Sequence, residues 1–162
     1  MTIAAQLEVI ATAVTAWAEP LKGAVRTAGD LADVQWLLKA TGDGPQVVIL
    51  WDGETTRGEL EELSMVDRSF LIFVSRGRGL ALDSGAARTR GTAEQPTPLY
   101  DLIEGLREVL RGIEFEPADS DATTEIRPRY ESFKPSDLLR ENGLLDGHEA
   151  RITIGTRIPI PS

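Results

Sequence analysis

The sequence predicts an α+β fold: a single, mostly antiparallel sheet of about four or five strands, with long helices packed on one of its faces. Three observations carry that expectation. Helical periodicity of apolar residues leads the chain and returns near residue 100. Two dense apolar runs, Val47–Trp51 and Phe70–Val74, have strand composition. Residues 150–160 alternate apolar and polar, with Ile152, Ile154, Ile158 and Ile160 on one side and Arg151, Thr153 and Arg157 on the other.

Taken in order, residues 3–21 read as a helix. Ile3, Leu7, Ile10, Val14, Trp17 and Leu21 fall on one side, Thr2 is placed to cap it, and Pro20 should end it near Glu19. A second helix is expected over 30–40, capped by Asp30 and showing Leu31, Val34, Leu37 and Leu38 on one face. T-G-D-G-P (41–45) breaks it. Residues 46–51 and 68–75 are strands, antiparallel neighbours, and a five-residue run without alternation implies a strand covered on both faces. The connector between them, 52–67, is long for a hairpin, so it holds either a helical turn at G-E-L-E-E-L or an extension of the strands. Residues 76–97 read as a long loop rich in Gly, Arg, Thr and Pro. The segment P-L-Y-D-L-I-E-G-L-R-E-V-L-R-G (98–112) is the cleanest helix, with Thr97 as cap and one stripe of Leu99, Leu102, Ile103, Leu106, Val109 and Leu110. Residues 123–133 are strand-like, with Pro128 assigning them to an edge or a bulge, and 134–143 hold a helical turn closed by Asn142-Gly143.

At 162 residues the chain fits one domain, 1–162, long enough to bury a core without staples. It has no cysteine, which excludes disulfides, thiolate metal sites and cysteine nucleophiles. No apolar run approaches the about 20 residues of a membrane span, and no basic segment opens the chain as an export signal would, so a soluble protein is expected. A net charge of −9 and a pI near 4.7 argue against general nucleic-acid binding.

Motifs for catalysis or cofactors are weak. R-G-R-G (76–79) follows a strand, but neither G-x-G-x-x-G nor a P-loop occurs. Glu114, Glu116, Asp119, Asp121 and Glu125 cluster, but D-S-D lacks the glycine and glutamate of a calcium loop, so a solvated acidic loop is the simpler reading. The one histidine, His148, reads as an exposed turn residue. No G-x-S-x-G occurs, and no carboxylate pair stands out. The expectation is no enzyme, no cofactor and no metal.

Charge layout is more informative. Residues 52–67 hold Asp52, Glu54, Glu59, Glu61, Glu62 and Asp67 against Arg57, a net of −5, while residues 76–90 hold Arg76, Arg78, Arg88 and Arg90 against Asp83, a net of +3. Either the two segments pair within one copy or stay solvated, or one copy's arginine loop meets the next copy's acidic segment. A head-to-tail contact of that kind closes into a ring when the rotation allows. Arg76, Arg78, Arg88, Arg90, Glu59, Glu61 and Glu62 are thus candidate interface residues.

V-V-I-L-W-D-G-E, R-S-F-L-I-F-V-S-R-G-R-G, the helix P-L-Y-D-L-I-E-G-L-R-E-V-L-R-G and a terminal β pair together resemble the tail-terminator, or tail-completion, family of tailed bacteriophages (minor tail protein U-like). The likeness spans about residues 1–160 in layout; the helix at 30–40 and the connector at 134–147 depart from it. The resemblance implies a virion structural protein that forms a ring, typically a hexamer, on the head-proximal end of the tail. Its partners would be itself, the tail tube protein and the head–tail connector protein, with DNA passing through the hole unread. Assembly would take place in the bacterial host cytoplasm, with the virion tail as destination. Two other classes fit the residues: a protein-interaction or adaptor module outside any virion, and a small phosphate- or nucleotide-binding enzyme using Arg76, Arg78 and nearby acids.

Overall fold

The computed structural model describes residues 1–29, 36–37, 44–60, 63–76, 98–115, 124–144 and 146–160. Helix α1 spans Ile3–Ala18, and the Thr2 hydroxyl accepts from the Ala5 backbone N–H as the expected cap. A 3₁₀ turn, Glu19–Leu21, takes up Pro20 where the α-helix stops. The buried line of α1 is Gln6, Ile10, Val14 and Ala18, so the buried face is centred on a step-of-four row that includes a glutamine, and Ile3, Leu7 and Trp17 flank it.

The chain then forms β1 (Ala24–Ala28), crosses over through residues of which 36 and 37 are helical, and returns as β2 (Gln46–Leu60). Strand β3 (Leu63–Ser75) follows, then α2 (Leu99–Gly112), β4 (Arg129–Pro135), the five-residue α3 (Asp137–Glu141) and β5 (His148–Pro159). They build one sheet in the order β1-β2-β3-β5-β4. The α+β class with a single sheet holds. The sheet is mixed, however, because β1 pairs parallel to β2 while the other pairings are antiparallel. The seventeen residues 29–45 between β1 and β2 are long enough for the crossover that a parallel pair requires. At 16 residues α1 is the longest helix among the described residues.

The apolar runs are explained by what lies on each side. On one face Val47, Ile49, Phe70, Ile72, Val74, Ile152 and Ile154 join Ile10 and Val14 of α1 and Leu106 and Leu110 of α2 in one buried cluster. On the other face Val48, Leu50, Leu71 and Phe73 pack with Leu37, Leu139 and Leu144. Both parities of β2 and β3 are therefore apolar where both faces are covered. In α2, Leu99, Leu102, Leu106 and Leu110 are buried, and Pro98 occupies the cap position without a side-chain cap bond. Thr97 lies outside the described residues, as do Asp30, Leu31, Val34 and Leu38 of the expected second helix; Leu37 is buried.

The connector 52–67 is β-structure. Strands β2 and β3 continue past the helix-covered region, and the ladder runs out to Leu60 opposite Leu63. β3 also pairs with β5 over its whole length, from Val74 opposite His148 to Leu63 opposite Pro159. The result is a three-stranded arm. Its β2 strand carries Asp52, Glu54, Thr55, Thr56, Arg57, Gly58 and Glu59, all exposed. Gly53 has φ +95° at the register irregularity between Trp51 and Glu54, a conformation that favours glycine. No described helix is long and apolar enough to cross a membrane.

Candidate assembly surface

Glu59 is exposed near the end of the arm and faces Ser64 across the ladder. Arg76 follows the last residue of β3, at the strand's other end. At about 3.3 Å per residue, the length of β3 from Ser64 to Arg76 separates the two by roughly 40 Å. Glu59 therefore cannot reach Arg76 within one copy. Glu61, Glu62, Arg78, Arg88 and Arg90 lie outside the described residues.

Arg76 is buried, which the sequence reading of an arginine loop did not anticipate. Its backbone N–H donates to Asp146 Oδ2 at 2.9 Å, and the Ser75 hydroxyl donates to Asp146 Oδ1 at 3.1 Å. Burial pushes the Asp146 carboxyl above its ordinary range against these hydrogen bonds and the Arg76 charge, and burial likewise lowers Arg76, which Asp146 partly offsets. Arg76 thus belongs to the buried end of β3. His148, expected to be exposed, is buried at the start of β5, where its Nδ1–H donates to the Asp146 carbonyl at 2.8 Å. A single carboxylate and its own carbonyl thereby tie the end of β3 to the start of β5. The residues are two apart in sequence, D-G-H, but nothing in that triplet signals burial.

A second polar group sits where the helix layer ends. Arg68 continues the helix-facing row of Phe70, Ile72 and Val74, and is buried. Its guanidinium donates to Glu54 Oε2 at 3.2 Å, to the Met1 carbonyl at 2.7 Å and to Gln6 Oε1 at 3.1 Å. Gln6 Nε2 in turn donates to Thr156 Oγ1 at 2.8 Å. The network joins α1, β2, β3 and β5 at the base of the arm. Its sequence signal was an arginine at an apolar parity.

The opposite face of the arm carries ion pairs. Arg57 reaches Asp67 at 2.6 Å and Glu125 at 2.9 Å, and Arg129 also contacts Asp67. Burial pushes Asp67 up, but the Arg57 and Arg129 hydrogen bonds outweigh it and hold the carboxyl below its usual range. Gly155 lies beneath: a Cβ there would come within 2.4 Å of Glu125 Oε1. Further along, Arg151 donates to Asp52 Oδ2 at 2.7 Å and to the Ser69 hydroxyl at 2.6 Å. Much of the arm's charge is thus matched locally. Glu125, read as part of an acidic loop, is one of the matched acids, and Glu114 pairs with Arg127 at 3.0 Å. Among the described residues no group of His, Asp and Glu is placed to hold a metal ion.

No known family model matches the chain, and no curated protein matches it.

Proposed function

We propose that this chain is a structural virion protein whose copies assemble into a ring that caps a phage tail tube. The ring ends tube polymerisation and offers the surface on which the head–tail connector docks, while DNA passes through its hole. The observation that supports this reading is the arm, where β2, β3 and β5 run past the helices that cover the sheet and leave Asp52, Glu54, Thr55, Thr56 and Glu59 of β2 exposed. A head-to-tail contact through that arm closes into a ring or runs on as a filament. The acidic net charge of −9 suits a channel that lets DNA pass without holding it. Such a protein works in the virion tail after assembly in the host cytoplasm, and it needs no cofactor.

Light scattering over a concentration series at low and high salt, with negative-stain images, tests the reading. Closed rings with a central hole, or rings formed on added tail tubes, are expected. Chains that stay monomeric throughout and are not retained on tubes overturn it, and point to an adaptor module instead.

A further inference from the structure

Strand β1 covers only part of β2: its register runs from Ala24 opposite Gln46 to Ala28 opposite Leu50. Beyond Leu50, β2 has a neighbour on one side only, β3, so its other edge lies open along the arm among the described residues. β4, the last strand of the sheet, is open on its outer side in the same sense. Open edges of this kind template the addition of another strand unless they are blocked. Here two irregularities, between Trp51 and Glu54 and between Thr56 and Gly58, bend the β2 edge and leave Glu54–Thr56 as its regular stretch.

We propose that the β2 edge of one copy, centred on Glu54–Thr56, pairs with the outer edge of β4 in a second copy of this chain, so that the sheets join into one closed β-wall. The proposal rests on the ring reading above and supplies its main contact. Two features of the molecule favour a second copy as the occupant. The two open edges lie on opposite sides of one sheet, so joining them is head-to-tail and repeats from copy to copy. Direction also fits: β3 opposes β2, β5 opposes β3 and β4 opposes β5, so β4 meets the next β2 antiparallel.

The stagger has the right size. Ser132 is level with Arg151, which is level with Leu71, whereas Thr55 is level with Asp67. Bringing Thr55 beside Ser132 of the neighbour shifts the copies by the span from Asp67 to Leu71, about 13 Å at 3.3 Å per residue. One copy from β2 through β4 to the next β2 is about 19 Å wide at 4.8 Å per strand. The strands then tilt by about 35° from the ring axis, within the range that closed barrels adopt.

The native chain has no cysteine, so introduced ones report cleanly. Thr55→Cys and Ser132→Cys place thiols on the same face of the sheet; the two purified variants are mixed and treated with a short bismaleimide, alongside images of the assemblies. A covalent dimer is expected from the mixture and absent from either variant alone, and the doubly substituted chain should give a ladder ending in a closed ring. Rings without that dimer overturn the edge pairing and leave the ring reading standing. Equal cross-linking by Thr55→Cys alone overturns it too, because it means two like edges meet. Cross-linked chains that never close support the edge pairing but overturn the ring. Monomers without cross-links overturn both.

Discussion

Arg68 shows how a charged residue is held on the core-facing side of a strand. It sits among apolar neighbours, and three oxygens around it come from Glu54, Met1 and Gln6, while Gln6 in turn donates to Thr156. A buried network of this kind is most costly when half of it is removed. Gln6→Leu keeps the volume but leaves the Arg68 guanidinium and the Thr156 hydroxyl each short of a partner. Thermal or denaturant unfolding should show a loss of about 1–3 kcal/mol; an unchanged midpoint would mean water replaces the amide there. Asp67 gives a test with a sign. Its folded pKa is held below the ordinary value by Arg57 and Arg129 despite burial, so its stabilisation is present above the unfolded pKa and is lost as pH falls through the folded one. Asp67→Asn should therefore be less stable than the parent at neutral pH, by about 1 kcal/mol for partly exposed pairs. The two curves should converge in acid, below the unfolded carboxylate value. A gap that persists there would mean the loss is geometric rather than electrostatic. These sites were the least legible from sequence. Arg68 could be read only from its parity with Phe70 and Ile72, and His148 is buried through a backbone carbonyl that no sequence pattern encodes.

Elements were legible in proportion to how unevenly they are buried. Helix α2 is buried on a single stripe, and the first half of β5 alternates in burial, so both declare themselves in spacing. Strand β1, A-V-R-T-A, is short, lies at an edge and buries only Ala28, which leaves no pattern to find. The outer half of β2 failed for the opposite reason to the core: exposed side chains such as Thr55, Thr56 and Glu59 erase the alternation that a half-buried strand shows. Only the pairing with β3 reveals it. The stripe of α2 supports a direct test. Leu106 is fully buried between α1 and the sheet, in the same cluster as Ile10 and Phe70. Leu106→Ala should cost about 2–5 kcal/mol through lost burial and the cavity left behind. Leu106→Asp should abolish folding, since an unpaired carboxylate has no partner in that cluster. Circular dichroism distinguishes the two, and a folded aspartate variant would mean α2 does not pack on this face.

At the scale of the molecule, the sheet runs well beyond the helices that cover it, and the ring proposed above gives the exposed β2 side of the arm a contact. The class with one sheet was readable from element types; the extension was not, because it depends on which strands pair. If copies associate only when folded, association stabilises the folded state by mass action. The unfolding midpoint should then rise with protein concentration, which calorimetry or fluorescence over a dilution series can follow. Salt separates the two contributions to the contact. Attraction between charged side chains is screened within about 3 Å at 1 M salt, whereas backbone pairing along Glu54–Thr56 is not. A concentration dependence that survives high salt therefore assigns the contact to the strand edges, and one seen only at low salt assigns it to charged side chains. A midpoint independent of concentration in both conditions would show that the folded chain is as stable alone as in company, and would leave the arm to a partner other than itself.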